Sequence, residues 1–277
     1  MLDVMSQAKN AMEAYSTKLR AITSNITNMS VTGFKRSDVS FQDMFSKLLS
    51  VGTPAYFSEN QGGTNPTQLG GTASISSTSV DFEPGAPNEG GNLDIAIQDG
   101  SKLFIVSPDG GKTFLYTRAG EFKIADNKLY TKGGYQVYGF RSSSGVDSSS
   151  IEPIDLSGLS YDVTKITWNE SGTLCQEYSE SGYGAQLPWR IAMTSFNNPS
   201  GLIYKDGTNF SESLASGPAS APTVASNNIK PRFREQSNVN YTSEVVDSLE
   251  IQRALDASLT VIRMANDTIT GFINKIS

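Results

Sequence analysis

Two apolar heptad seams at opposite ends of the chain constrain its fold more than any other feature. Met5, Ala8, Met12, Tyr15, Leu19, Ile22, Ile26 and Met29 recur at spacings of 3, 4, 3, 4, 3, 4, 3. That pattern predicts a helix over residues 1–32 with one sustained a/d stripe, roughly 45 Å long at about 1.5 Å per residue. Gly33 follows, the residue expected where a helix ends in a left-handed turn. From about Thr242 to Ile276 the pattern returns, with Leu255, Leu259, Ile262, Ile269, Ile273 and Ile276 on one seam and Asn266 at its remaining position. A polar residue there costs stability and fixes register or partner number. Val245, Val246 and Leu249 widen the apolar surface at the helix start. The seams can satisfy each other within one chain, or pair and still leave apolar surface for other copies. Periodicity alone leaves both outcomes open.

The middle of the chain reads as β structure. Leu103–Ser107 and Lys112–Tyr116 flank Pro108-Asp109-Gly110-Gly111, a hairpin signal. Glu121–Ile124 and Lys128–Tyr130 flank a second turn at Asp126-Asn127. Leu93–Ile97, Lys165–Trp168 and Arg190–Met193 read as further short strands. Turn residues recur often enough to suggest a small antiparallel sandwich or barrel. Residues 50–79 and 206–230, rich in Gly, Ser, Thr, Asn and Pro, read as long loops or connectors. The fold class expected is α+β, with paired terminal helices and a central irregular antiparallel β domain.

The residues offer little for catalysis. The chain has no histidine, which removes the usual general base, the triad base and the commonest metal ligand. Its single cysteine, Cys175, can form neither an internal disulfide nor a multi-Cys zinc site. Set between Leu174 and Gln176, Cys175 reads as a core residue. No phosphate-cradling glycine loop or nucleophile elbow occurs. Asp94 and Asp99 read as turn or surface carboxylates. The Asn-x-Ser/Thr triplets are no more than an Asn- and Ser-rich chain contains by chance. With 22 basic against 28 acidic residues the net charge is −6, opposed to a nucleic-acid footprint. No stretch approaches the roughly 20 apolar residues of a membrane span, and the first residues lack the features of a cleaved leader. The expectation is a chain that is no enzyme and needs no cofactor or metal. On composition alone it would be placed in the cytoplasm.

A set of short motifs points elsewhere. Ser24-Asn25-Ile26-Thr27-Asn28-Met29-Ser30-Val31-Thr32-Gly33-Phe34-Lys35-Arg36 resembles the N-terminal signature of bacterial flagellar basal-body rod and hook proteins. Phe41-Gln42-Asp43-Met44 and Asn92-Leu93-Asp94-Ile95-Ala96-Ile97 are similar to the next elements of that family. Tyr116-Thr117-Arg118-Ala119-Gly120-Glu121-Phe122 and Asn198-Pro199-Ser200-Gly201-Leu202 match two more. Glu235-Gln236-Ser237-Asn238-Val239-Asn240 and Gln252-Arg253-Ala254 complete the series, in family order and from end to end of the chain. The motif residues carried over are Asn25, Asn28, Gly33, Phe34, Asn92, Asp94, Arg118, Gly120, Pro199, Gly201, Asn238, Gln252 and Arg253.

The resemblance implies a subunit of a helical tube that transmits motor torque. Residues 1–36 and 240–277 would form the coiled-coil polymerisation domain, 37–75 an extended linker or hairpin, and 76–239 the β domain. Met5, Met12, Leu19, Ile22, Ile26, Leu255, Leu259, Ile262, Ile269 and Ile273 would hold the helices and their neighbours. The partners implied are copies of the chain itself, other rod and hook proteins, a rod cap, an L/P-ring bushing in a Gram-negative envelope and the flagellar type III export apparatus. Nucleic acid and membrane insertion are not expected. The location implied is the periplasmic rod, reached without a cleaved signal peptide, or the cell exterior for a hook. Chain length and the insertion after Phe41, through Gly62-Gly63-Thr64-Asn65-Pro66, favour the distal rod over hook and proximal rod. The reading from another class is a secreted β-domain binding protein whose helices form a simple intramolecular stalk.

Overall fold

A computed structural model describes residues 2–43, 47–50, 67–69, 73–143, 146–147, 150–158, 162–178, 182–225 and 228–276. The chain divides into two compact units. One comprises Met1–Ser24, Ser37–Ser79 and Thr242–Ser277; the other comprises Asn25–Arg36 and Val80–Tyr241.

The first unit holds most of the two long helices, α1 (Leu2–Thr27) and α2 (Tyr241–Ile276). Ala8, Ala11, Ala14 and Ala21 give α1 good helix formers. It stops at Thr27, earlier than the periodicity predicts. Thr23, Ser24, Asn25, Thr27 and Asn28 crowd its last turns with residues that compete for the backbone. Tight turns then take over, with the Val31 N–H donating to the Asn28 carbonyl (3.0 Å) and the Phe34 N–H to the Val31 carbonyl (3.3 Å). Gly33 does adopt a left-handed conformation, φ 69°, but well past the helix end, where the backbone passes against Ala119. α2 spans its predicted range, with Glu244 in the first turn and Lys275 in the last, both complementary to the helix dipole. Within this unit the strand Ser37–Asp43 pairs with Ala73–Val80. Tyr15 of α1 meets Phe41 edge-on at 5.6 Å, and Lys18 donates to the Asp38 carboxylate and the Val39 carbonyl. The insertion through Gly62–Pro66, and Met44 of the Phe41 motif, lie outside the described residues.

The second unit is the β domain. Its strands pair antiparallel along the order Ile166–Trp168, Thr173–Tyr178, Gly182–Ser195, Gln136–Ser143, Lys102–Ser107, Leu115–Thr117, Asn209–Ser211, Ile203–Asp206. The long strand Gly182–Ser195 also pairs with Lys102–Ser107, so three central strands close on themselves in part-barrel fashion. The expected hairpins are present. Phe104, Ile105 and Val106 face Thr117, Tyr116 and Leu115. Phe122–Ala125 pairs with Lys128–Thr131 through Asp126 (φ 48°) and Asn127 (φ 59°), the two positive dihedrals that a tight right-twisted hairpin requires. The stretch 206–230, expected as loop, contributes three short strands, because Phe210 and Ile229 bring isolated apolar anchors that polar neighbours mask in sequence.

Alternate residues of the strand Lys102–Ser107 enter two cores. Phe104 and Val106 pack with Trp168, Leu129, Ile191 and Met193, whereas Leu103 and Ile105 pack with Phe82, Tyr138, Phe196 and Phe210. Burial on both faces explains the unbroken apolar run Leu103-Phe104-Ile105-Val106. Both tryptophans satisfy their indole N–H, Trp168 on the Leu93 carbonyl (2.9 Å) and Trp189 on the Asp155 carbonyl (2.8 Å). Cys175 lies in the interior with no exposed surface, its thiol pushed up to about 11 by burial. A thiol reagent at pH 8 should therefore leave the native protein unmodified and label one equivalent only after guanidinium unfolding. Rapid native labelling would place Cys175 outside the core.

Candidate functional site

The β unit contains a buried ionic cluster that gathers both segments adjoining the helices. Lys35, Arg118 and Glu235 have 0, 0 and 1% of their surface exposed. Lys35 follows α1 by eight residues and Glu235 precedes α2 by six, while Arg118 leaves the strand Leu115–Thr117. The Lys35 ammonium donates to Glu235 Oε1 (2.6 Å) and to the Glu83 carbonyl (2.6 Å). Arg118 uses all five of its donors. Its Nε reaches Glu235 Oε2 (2.9 Å) and its Nη2 reaches Glu235 Oε1 and the Ile97 carbonyl (both 3.2 Å). Its Nη1 reaches the carbonyls of Asp99 (2.5 Å) and Lys102 (2.6 Å). The Gly85 N–H adds a further bond to Glu235 Oε1 at 2.9 Å.

The cluster is electrostatically uneven, with two cations sharing one carboxylate. Burial draws the Lys35 ammonium below the ordinary lysine value; Glu235 opposes this and Arg118 adds to it. The excess positive charge is met by backbone carbonyl dipoles, the satisfaction that a buried charge demands.

Backbone contacts reinforce the clamp. The Gly33 N–H donates to the Glu235 carbonyl at 2.8 Å. A Cβ on Gly33 would lie 2.4 Å from the Ala119 nitrogen, and one on Gly120 would lie 1.8 Å from the Ile95 carbonyl oxygen. Only glycine lets these segments approach so closely. Phe34 is buried and stacks on Tyr204 (6.0 Å between centroids), whose hydroxyl donates to the Lys35 carbonyl. Asn238 accepts from the Arg36 N–H (2.8 Å) and donates to the carbonyls of Asp81 (2.9 Å) and Glu83 (3.2 Å). A second tie joins Thr32 and Arg234 through the Glu121 carboxylate, at 2.9 and 2.7 Å.

Five motif residues therefore meet here: Gly33, Phe34, Arg118, Gly120 and Asn238. The others stand apart. Asn92 donates to the Thr164 carbonyl (3.1 Å), and Asp94 accepts from the Gly91 N–H (2.7 Å). Pro199 and Gly201 form a short helical turn. Asn25 is buried near the end of α1 and Asn28 accepts in the turn that follows it. Gln252 and Arg253 are exposed on α2, where Gln252 donates to Ser248. Along the seams Ile22 is buried, while Met5, Met12, Leu19, Ile26, Leu255, Leu259, Ile262 and Ile269 are half-buried and Ile273 is exposed. Sequence reasoning did not single out Lys35 and Glu235 as site residues. The signal in the sequence was slight: opposite charges sitting inside motifs at the two ends of one chain, with Lys35 directly after the buried Phe34.

Family models match the two segments that the clamp joins. Residues 5–35 match a model described as "Flagella basal body rod protein", and residues 231–270 match "Flagellar basal body rod FlgEFG protein C-terminal". The chain is 31% identical over 283 residues to the flagellar basal-body rod protein FlgG of Bacillus subtilis, covering 99% of both chains. The chain belongs to the flagellar basal-body rod protein family. A second rod relative, FlgG of Borreliella burgdorferi, is 29% identical with 100% of this chain and 99% of that one covered. The flagellar hook protein FlgE of Helicobacter mustelae is 35% identical, but over 50% of this chain and 31% of its own. The full-length likeness is thus to rod proteins, and the likeness to hook proteins is partial. Among the described residues of this rod-family chain, no group of three or more potential metal ligands occurs, and no helix is long and apolar enough to cross a membrane.

Glu235→Ala should leave two buried cations without their carboxylate, at a cost of about 3–5 kcal/mol. For a domain of this size the thermal midpoint should fall by about 6–20 °C, read by calorimetry; an unchanged midpoint would mean that the cluster holds nothing. Glu121 gives a milder test. Burial raises its pKa, but hydrogen bonds from Arg234, Thr32 and Lys132 outweigh that and hold the carboxyl below its usual value. Its contribution is therefore present above the unfolded carboxyl pKa and lost as pH falls through the folded one. Glu121→Gln should flatten the acid side of the stability profile, whereas an unaltered profile would remove Glu121 from the tie.

Proposed function

We propose that this chain is a structural subunit of the flagellar rod, the distal rod in particular, that polymerises through its terminal helices and transmits torque without catalysing a reaction. The observation that carries the reading is the unsatisfied apolar surface on α2. Met264, Phe272 and Ile273 are 57, 63 and 60% exposed, and Val246 and Leu249 about half exposed. Most seam positions on both helices are only half-buried. A run of exposed apolar side chains along a long helix marks a surface that another protein covers. Contacts of this kind between copies, made head to tail, do not close and so build a filament. The full-length likeness to rod proteins supports the rod over the hook, and also over a binding module with an intramolecular stalk.

In this reading Met5, Met12, Leu19, Ile22, Ile26, Leu255, Leu259, Ile262, Ile269 and Ile273 form the helix seam. The buried clamp holds together, within the β unit, the two segments that adjoin the helices. The other partners are neighbouring rod and hook proteins, a rod cap and the L/P-ring bushing. The chain reaches the periplasmic rod through the flagellar type III export apparatus. A lone buried cysteine suits that route, because no internal disulfide opposes unfolding for transport.

Electron microscopy of the full-length protein beside a copy lacking residues 242–277 tests the reading, with straight tubes expected from the full-length chain alone. Ile262→Asp should place an unpaired charge in the assembled seam, at about 3 kcal/mol per contact. That raises the critical concentration on the order of a hundredfold. Normal tube growth by this variant would remove the seam from assembly.

A further inference from the structure

A strap of chain just before α2 closes the β unit. From Asn228 to Asn238 it runs antiparallel along residues 81–98. The Gln98 N–H donates to the Asn228 carbonyl (2.8 Å). Ile229–Pro231 then pairs with Ile95–Ile97, and Phe233–Glu235 with Pro87–Glu89. Arg232, at φ 61°, steps between the two ladders. Its N–H donates to the Asp94 carbonyl and its carbonyl accepts from the Gly90 N–H, both at 2.8 Å. Further on, the Gln236 N–H reaches the Ala86 carbonyl (3.0 Å), and Asn238 Nδ2 reaches the carbonyls of Asp81 and Glu83. Yet the strap buries little. Between Asn228 and Asn238 only Ile229 and Glu235 are buried. Its closure therefore depends on one aliphatic side chain and one carboxylate.

That carboxylate comes late in the chain. Glu235 follows Arg118 by 117 residues and Lys35 by 200. The strands that fill the cores are joined over much shorter spans. Lys102–Ser107 pairs with Leu115–Thr117, and Phe122–Ala125 with Lys128–Thr131. Thr173–Tyr178 pairs with its neighbours in sequence on either side, Ile166–Trp168 and Gly182–Ser195. Local pairings form early and pairings across long loops form late. Burying Lys35 and Arg118 before Glu235 arrives would leave two cations in the interior with no counter-ion. We infer that the strap 228–238 is a latch that closes last, and that the β unit stays open at Lys35 and Arg118 until the chain is complete to within six residues of α2. A chain that emerges N-terminus first, from a ribosome or a channel, presents both cations well before the group that lets them be buried. Closure thereby waits for the root of α2, and a chain cut short before Glu235 remains open here. The inference stands on the contacts of the strap and their spacing, independently of the rod reading.

Stopped-flow unfolding and refolding of the full-length chain, dilute enough that no polymer forms, provides the test. Trp168 and Trp189, both in the first core, report the folding of the central strands. A contact absent from the transition state changes the unfolding rate and leaves the refolding rate alone. Glu235→Gln should speed unfolding by about tenfold or more and change refolding by less than about twofold. Ile229→Val, a milder change to the other anchor, should speed unfolding about threefold with refolding again unchanged; it carries the test if the first variant does not fold. Val106→Ala, in the central strand Lys102–Ser107, should instead slow refolding by about threefold or more. Refolding slowed by the strap variants in proportion to the stability they lose would put the strap in the folding nucleus and overturn the latch. Strap variants that change neither rate, or a Val106→Ala chain that refolds at the normal rate, would overturn it as well.

Discussion

One carboxylate, Glu235, holds together the two segments of chain that lead into the long helices. It binds Lys35 from one segment, belongs to the other, and is anchored by Arg118 to the turn that carries the Ile97, Asp99 and Lys102 carbonyls. Apolar packing of similar volume could give equal or greater stability at such a position. It could not give the same direction. A guanidinium with five filled donors accepts one arrangement of its partners, and slipping either terminal segment by one residue would strand a buried charge. The cluster therefore specifies register as much as it stabilises.

The close contacts around it follow from that requirement. The Lys35 ammonium reaches Glu235 where the backbone at Gly33 passes against Ala119, and Gly120 passes against Ile95 in turn. Both approaches exclude a side chain. Phe34 closes one side on Tyr204, which continues through Phe210 and Phe82 into the second core. A side chain from the segment after α1 thus joins the same aromatic series that fills the β unit. Thr32 and Arg234, meeting on Glu121, tie the same two segments a second time at a less buried place.

Much of this was legible in the sequence. Heptad spacing located α2 to within a residue and α1 except for its end, where polar residues outweighed an apolar seam that continues to Met29. Turn chemistry located the hairpins at Asp109 and Asp126. The stretch 206–230 was less legible, because strands of two or three residues carry too few side chains to show a period. The motifs pointed to Gly33, Arg118 and Asn238 but not to their common purpose. A buried ion pair between residues 200 positions apart leaves no local pattern, and a lysine or glutamate reads as surface until a partner is found. Their places inside motifs at the two ends of the chain were the only trace.

The two units meet opposite demands. The β unit carries its own cores, with Lys102–Ser107 buried on both faces, its indoles bonded and Lys35, Arg118 and Glu235 paired. The helices do not. An isolated helix in water gains little from propensity alone and depends on covering its apolar face, yet α2 leaves Met264, Phe272 and Ile273 open to solvent. On the proposed function, assembly is the step that covers what the helices leave open. The clamp bears on that step because it holds the segments next to both helices, Gly33–Arg36 and Glu235–Asn238, in one arrangement before any neighbour arrives. Less freedom then remains to be lost when a neighbouring copy arrives, and more of the burial free energy appears as association.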